Sequence, residues 1–246
     1  MKKRFLLITI VTAAAVILTA CGHKQAPPRD DAALSISLQK TIPGDSTRYG
    51  LACDGCTDSI LLFLPYTGGD PDTFDIIEAR KQHRIYGHPR IGDELAIVVN
   101  PEKTDEALMV ININMLQGQW CYKVTPTLRA SLSGQARPPL PDSIRRRIMA
   151  PREYGIRLKR DYTAFSIGNL RPGNADAMSP VSYPDAKHYT SWRIHNGRII
   201  LKADTIPGLS QEMVPESDTA TIVLLRRDSL VLRFADHEQS YYRKKN

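Results

Sequence analysis

The sequence predicts an all-β fold in two units, and three observations predict it. First, the apolar runs are short and alternate with polar residues: "SILLFLP" (59–65), "ELAIVVN" (94–100) and "ALMVININM" (107–115). Each is rich in Val, Ile and Leu and bounded by Gly, Pro, Asn or Asp, which is how strands read. Second, "YGIRLKR", "YTAFSIG", "SWRIHNGRIILKA", "TATIVLLRRDSLVLRFA" and "SYYRK" repeat that behaviour through the second half. Third, hairpin chemistry joins the runs. Asn196-Gly197 is a two-residue loop whose favoured turn matches the twist of its strands, and Arg227-Asp228-Ser229 separates two further apolar runs. Helical periodicity is confined to "LPDSIRRRIM" (140–149), where Asp142 or Ser143 would cap and Ile144, Ile148 and Met149 would share the inner face.

Residues 1–20 carry Lys2, Lys3 and Arg4 ahead of an apolar stretch too short for a membrane-spanning helix, the pattern of a secretory signal peptide. The following "LTAC" resembles the bacterial lipobox. That resemblance implies cleavage before Cys21 and lipidation of its thiol, giving a chain anchored to a membrane. Gly22 stands where an aspartate would favour inner-membrane retention, and "GHKQAPP" lacks an early acidic pair resembling a surface-export signal. A periplasm-facing anchor in the outer membrane is the expectation. Residues 21–45 are polar with scattered Pro and Ser and read as a tether. The formal charge of +7 falls to +4 without the leader, an ordinary value that gives no reason to expect a nucleic-acid partner.

The second unit, 115–246, opens with "MLQGQWCYKV". A Trp after a Gly, the strand "GIRLKRDYTAFSIGNL", a second Trp in "HYTSWRIHNGRIILKA", then "DSLVLRF" and "YYRKK" follow one another in an order that resembles the lipocalin-like domains of Bacteroidota lipoproteins. The resemblance implies an up-and-down antiparallel β-barrel, whose closure removes sheet edges. It also implies a small hydrophobic ligand or an envelope protein as partner. Trp120, Tyr154, Tyr189 and Trp192 are the expected pocket residues, with Trp120 closing the bottom. The alternative is that the indoles simply fill the core, as buried indoles usually do.

The first unit, 46–114, has room for about five short strands, and a small OB-like β-barrel is expected there. It holds Cys53-Asp54-Gly55-Cys56 within "YGLACDGCTDSILLFL". In an oxidising envelope such a pair readily becomes a disulfide. Two thiolates also suffice for Cu(I), whereas structural zinc asks for four ligands, with Cys121, His83 and His88 as candidates to complete the set. A redox role usually draws on a helix N-terminus, and here a strand follows. The same stretch resembles the N-terminal motif of the NlpE copper-resistance lipoproteins, which implies copper handling or envelope-stress signalling through Cys53 and Cys56.

Neither a nucleophile elbow, nor a phosphate loop, nor a His-Glu-x-x-His stretch is present, so no catalytic residue is assigned and the chain is not expected to be an enzyme. The basic residues Arg145-Arg146-Arg147, Arg152, Arg157, Lys159 and Arg160 suit either a solvated face or an anionic lipid or glycan surface.

Overall fold

A computed structural model describes residues 43–129, 141–168, 170, 179–204 and 217–245. The signal peptide, Cys21 and nearly all of the tether lie outside the described residues.

Two sheets follow one another along the chain. The first is built from β1 (Thr47–Ala52), β2 (Ile60–Pro65), β3 (Asp72–Asp75), β4 (Ile85–Tyr86), β5 (Glu94–Val99) and β6 (Ala107–Asn112), in spatial order β3-β2-β1-β5-β6-β4. It is antiparallel except where β4 pairs β6 in parallel, whereas the second is antiparallel throughout. The end of β3 returns to the start of β6 through a parallel bridge, Asp75 to Glu106, and Asp75 N–H donates to Asp105 O at 2.7 Å. Five strands therefore curl into a small, partly open barrel, with a short helix (Ile77–Lys81) crossing between β3 and β4. Its core follows the period-two pattern on β2 (Leu61, Phe63) and β5 (Leu95, Ile97), while on β6 an irregularity opposite Val98 and Val99 changes the parity and buries both Ala107 and Val110. Phe63 and Phe74 meet edge-on at 5.9 Å.

The strand expected to continue to residue 115 stops at Asn112. There the Asn side chain accepts the Met115 N–H at 2.9 Å and caps a helical turn, Ile113–Leu116. Its amide group also donates to Asp93 Oδ2 (2.6 Å) and to His88 O (3.1 Å), so Asn112 is fully buried with its polar atoms used. Capping of this kind competes with the strand ladder.

The second sheet comprises β7 (Gly118–Val124), β9 (Arg152–Leu158), β10 (Ala164–Ile167), β12 (Tyr189–His195), β13 (Arg198–Ala203), β14 (Asp218–Leu225), β15 (Ser229–Arg233) and β16 (Glu238–Arg243). Spatial order follows chain order, and β16 pairs back onto β7 through Tyr242 to Cys121 and Arg243 to Trp120. The remaining seam, β10 to β12, is joined by the bridge Thr163 to Ser191 and by Trp192 N–H donating to Tyr162 O at 2.9 Å. The result is a nearly closed, eight-stranded, up-and-down antiparallel barrel, the architecture expected from the sequence. A small ribbon, β8 (Thr127–Leu128) with β11 (Val181–Ser182), lies between its strands in the chain.

Inward residues alternate along β12, β13 and β15: Trp192 and Ile194, Ile199 and Leu201, Leu230 and Leu232. On β14 the parity changes at a bulge between Ile222 and Leu224, which turns Leu225 inward. Asn196 and Gly197 both have positive φ (48° and 71°), as a type I′ hairpin requires.

The helix around 140–149 forms at Asp142–Ile148, but neither Asp142 nor Ser143 caps it. Pro141 occupies the cap position with no side-chain hydrogen bond, and no residue of the helix is buried. Ile144 is 46% exposed rather than facing inward. Seven residues give only two turns, too little face to pack a core stripe.

Candidate functional site

The second barrel has two dissimilar ends. At one end the connections are short turns, and all of them meet the first unit. Asn196 accepts from Ser46 N–H and from Ser46 Oγ–H, both at 2.7 Å, through its Oδ1, and its amide donates to Gly44 O at 3.0 Å. Gly197 N–H donates to Thr47 Oγ1, and an added Cβ there would stand 2.6 Å from Met109 Sδ. In the turn after β9, Tyr162 O–H donates to the buried Glu94 carboxylate at 2.7 Å. After β14, Leu225 O accepts from Gly87 N–H at 3.2 Å. Tyr49 O–H reaches Ile194 O at 2.7 Å.

Beneath these turns Trp120 is fully buried, its Nε1–H donating to Leu116 O at 2.7 Å. The Arg243 guanidinium lies 4.1 Å over the indole ring. It donates to Gln117 O (2.6 Å), to Arg227 O (2.5 Å) and to Met115 O. Gly118, at φ +134°, leaves the room this needs, since a Cβ would fall 2.3 Å from the guanidinium. Apolar residues of the first unit (Tyr86, Ala96, Ile111, Ile113) and Leu116 just after it join one continuous core with this end of the barrel. The first unit acts as the stopper of the second.

At the other end lies a cavity of about 610 Å³. Its inner wall comes from alternate positions of converging strands: Tyr122 on β7, Ile156 on β9, Tyr189 on β12, Gln239 and Tyr241 on β16. Its rim carries Asp185, Lys187, Asp218, Asp236 and His237. Tyr122 and Tyr241 meet edge-on at 5.4 Å. Tyr189 O–H donates to Asp218, which also pairs with Lys187 Nζ at 2.5 Å. Ser166 Oγ–H donates to Lys187 O at 2.6 Å and accepts Tyr189 N–H at 2.9 Å, fixing the rim segment to β10. His237 stacks on Phe234 and hydrogen-bonds Asp236 at 2.7 Å.

Burial pushes the Tyr189, Tyr241 and Tyr122 hydroxyls up from the ordinary phenol range. Neighbouring Asp218 adds to this for Tyr189 and Tyr241, and Tyr154 for Tyr122. These walls are thus neutral phenols, donors rather than anions, at neutral pH.

Among the four aromatics singled out in the sequence, Tyr189 lines this cavity. Tyr154 lies beside Tyr122 with rings 6.1 Å apart, and its hydroxyl donates to Pro184 O. Trp120 sits at the closed end, and Trp192 lies toward it, donating to Lys159 O (2.9 Å) with its ring 5.0 Å from Tyr162. Sequence reasoning missed Tyr122, Asp218 and Tyr241. Tyr122 and Tyr241 stand two residues from Trp120 and Arg243, on the same faces of their strands, and that spacing was the available signal.

In the first unit, Cys53 and Cys56 are free thiols, both half-buried. Cys56 Sγ accepts Leu62 N–H at 3.4 Å and approaches Cys53 O at 3.2 Å. Cys56 shares a 280 Å³ crevice with His88 and with Arg80, which pairs with Asp58 at 2.9 Å. His83 follows the helix Ile77–Lys81 in a left-handed turn (φ 55°) and is exposed. Cys121 is buried on the second barrel, opposite Gly155 and Tyr242. Among the described residues no three His, Cys, Asp or Glu side chains stand together as a metal-ligand set. Arg157 donates to Gln119 Oε1 at 2.8 Å, and Lys159 lies 4.6 Å from the exposed Phe165 ring.

No family model and no curated protein matches the chain. Among solved structures it is similar to a lipocalin-like protein from Bacteroides thetaiotaomicron VPI-5482. The two are 23% identical with a TM-score of 0.29, and the match covers 52% of this chain and 95% of that one.

Proposed function

We propose that the chain is a lipid-anchored envelope protein whose second barrel binds a small amphipathic molecule in the tyrosine-lined cavity. The observation that supports this most is the asymmetry of the barrel: one end is packed and stoppered, while the other keeps about 610 Å³ of space where tyrosine rings and Ile156 stand among polar and charged side chains. That volume lies within the range of small-molecule pockets. Because hydroxyls and carboxylates stand among the rings, the hydrophobic ligand expected from the sequence becomes one with a polar head. Binding is tested with the uncharged fluorophore N-phenyl-1-naphthylamine on residues 22–246. Fluorescence enhancement is expected, and Gln239→Trp, which places an indole on the inner wall opposite the inward-facing Leu232, should abolish it without lowering the Tm. An enhancement unchanged by Gln239→Trp would place the dye elsewhere and sink the reading.

The anchor is part of the same proposal. Lipidation of Cys21 should put the chain in the outer-membrane fraction, facing the periplasm, and Cys21→Ser should release it. An envelope protein as the partner of the exposed barrel surface stands within this reading too. The first unit, with its five strands in the order β3-β2-β1-β5-β6 and a helix between the third and fourth barrel strands, supports an OB-like assignment.

A second reading is favoured by one observation, the grouping of Cys56 with His88 in one crevice beside Cys53. Under it Cys53 and Cys56 hold Cu(I), a soft ion content with two thiolates, and the chain reports copper or redox stress. Native mass spectrometry decides. A copper increment lost in the Cys53→Ser, Cys56→Ser double variant supports it, whereas an oxidised pair without metal makes these cysteines a staple.

A further inference from the structure

The charges around the cavity say what kind of head group it takes. Three carboxylates stand on its rim, Asp185, Asp218 and Asp236. Among the described lining residues Lys187 is the cationic side chain and it is engaged by Asp218, while His237 hydrogen-bonds Asp236. Among the described residues the lining holds no arginine. An anionic head would have to displace Asp218 from Lys187 and then sit among the remaining acids. Like charge at such range is strongly selected against.

The walls add to the same preference. Tyr122, Tyr189 and Tyr241 line the cavity with aromatic rings, whose faces attract cations. Burial keeps their hydroxyls protonated, so the rings act through their quadrupoles and not as phenolates. The setting sharpens the point, because the chain as a whole is basic, with 33 Lys and Arg against 26 Asp and Glu. Its long-range field draws anions, so a preference for cations belongs to the cavity itself.

We propose that the cavity between Tyr122, Tyr189, Tyr241 and Asp218 recognises an amphiphile with a positively charged nitrogen head, its ammonium among the carboxylates and its apolar body against the rings and Ile156. This rests on the binding function proposed above and adds the sign of the ligand's charge.

Three probes of one chain length separate the two claims: decyltrimethylammonium, decanol and decanoate, each below micelle formation, displacing N-phenyl-1-naphthylamine from residues 22–246. The ammonium should displace at about tenfold lower concentration than decanoate, with decanol between them. Asp218→Asn should erase most of that gap by weakening the cation and freeing Lys187 for the anion. Lys187→Met should widen it, which gives a second readout if the Asp218 variant folds poorly. The gap should persist in 0.5 M NaCl, roughly where exposed-charge effects are screened beyond a few ångströms. Decanoate matching or beating the ammonium would overturn the charge assignment and leave the binding function standing. Failure of the fluorophore and all three amphiphiles to bind would overturn both.

Discussion

The two ends of the second barrel are made by the same eight strands and differ in almost every physical respect. At the stoppered end Trp120, Leu158, Ile194, Ile199, Leu225 and Leu230 are fully or nearly fully buried, and the turns are short enough to be gripped by the first unit. At the cavity end the inward positions include Tyr122, Tyr189 and Tyr241, and the connections span 125–151, 168–188 and 204–217 beside one short turn, 234–237. A strand of seven residues is thus divided between stability and binding along its length. On β7, Trp120 belongs to the one and Tyr122 to the other.

If that division is right, substitutions on one strand should separate by size of effect. Trp120→Ala should cost about 3–5 kcal/mol, since it empties a packed site that cannot collapse, and Tyr122→Phe should stay within about 0.5 kcal/mol. Urea unfolding measures both, and comparable costs would break the comparison. Next in size, Tyr162→Phe should cost about 1–3 kcal/mol by removing the O–H that a buried carboxylate accepts. The loss should appear together with easier proteolysis between the units, since Tyr162 and Glu94 come from different ones. Gly197→Ala should cost roughly 1 kcal/mol, from a left-handed φ and crowding against Met109. The smallest effect is electrostatic. Lys244 first, then Tyr242, hold the Glu153 carboxyl below its usual range on the exposed outer wall. Its depressed folded-state pKa contributes stability that is present above the ordinary glutamate pKa and lost as pH falls through the folded value. Wild type and Glu153→Gln should therefore differ slightly at neutral pH and converge in acid.

Much of the fold could be read from the sequence because it rests on local signals. Period-two runs mark the strands, Asn196-Gly197 marks a hairpin, and the Gly-x-Trp of Gly118 and Trp120 marks a barrel bottom. The break at Asn112 was hidden, because Ile113 and Leu116 look as apolar to a strand pattern as to a helical turn. What decides it is a side-chain cap whose other partners, His88 and Asp93, come from a distant loop. The cavity was legible in part. Aromatic type alone grouped Trp120, Tyr154, Tyr189 and Trp192, but position along each strand sorts residues into floor or mouth, and that depends on register. Asp218 and Lys187 acquire their role by meeting across 31 positions.

The seam between β16 and β7 bears on how the protein assembles. Arg243 contacts Gln117 across 126 positions and Met115 across 128, so the barrel has no closed core until its last strand finds its first. Loop closure over such a span precedes most of the reward, and topologies dominated by distant pairings fold on the millisecond-to-second scale. The residues that Arg243 locks, Met115 and Gln117, also form the passage from one unit to the next. Barrel closure and the setting of that passage are one late step, during which the strand edges of β7 and β15 stand open to other chains.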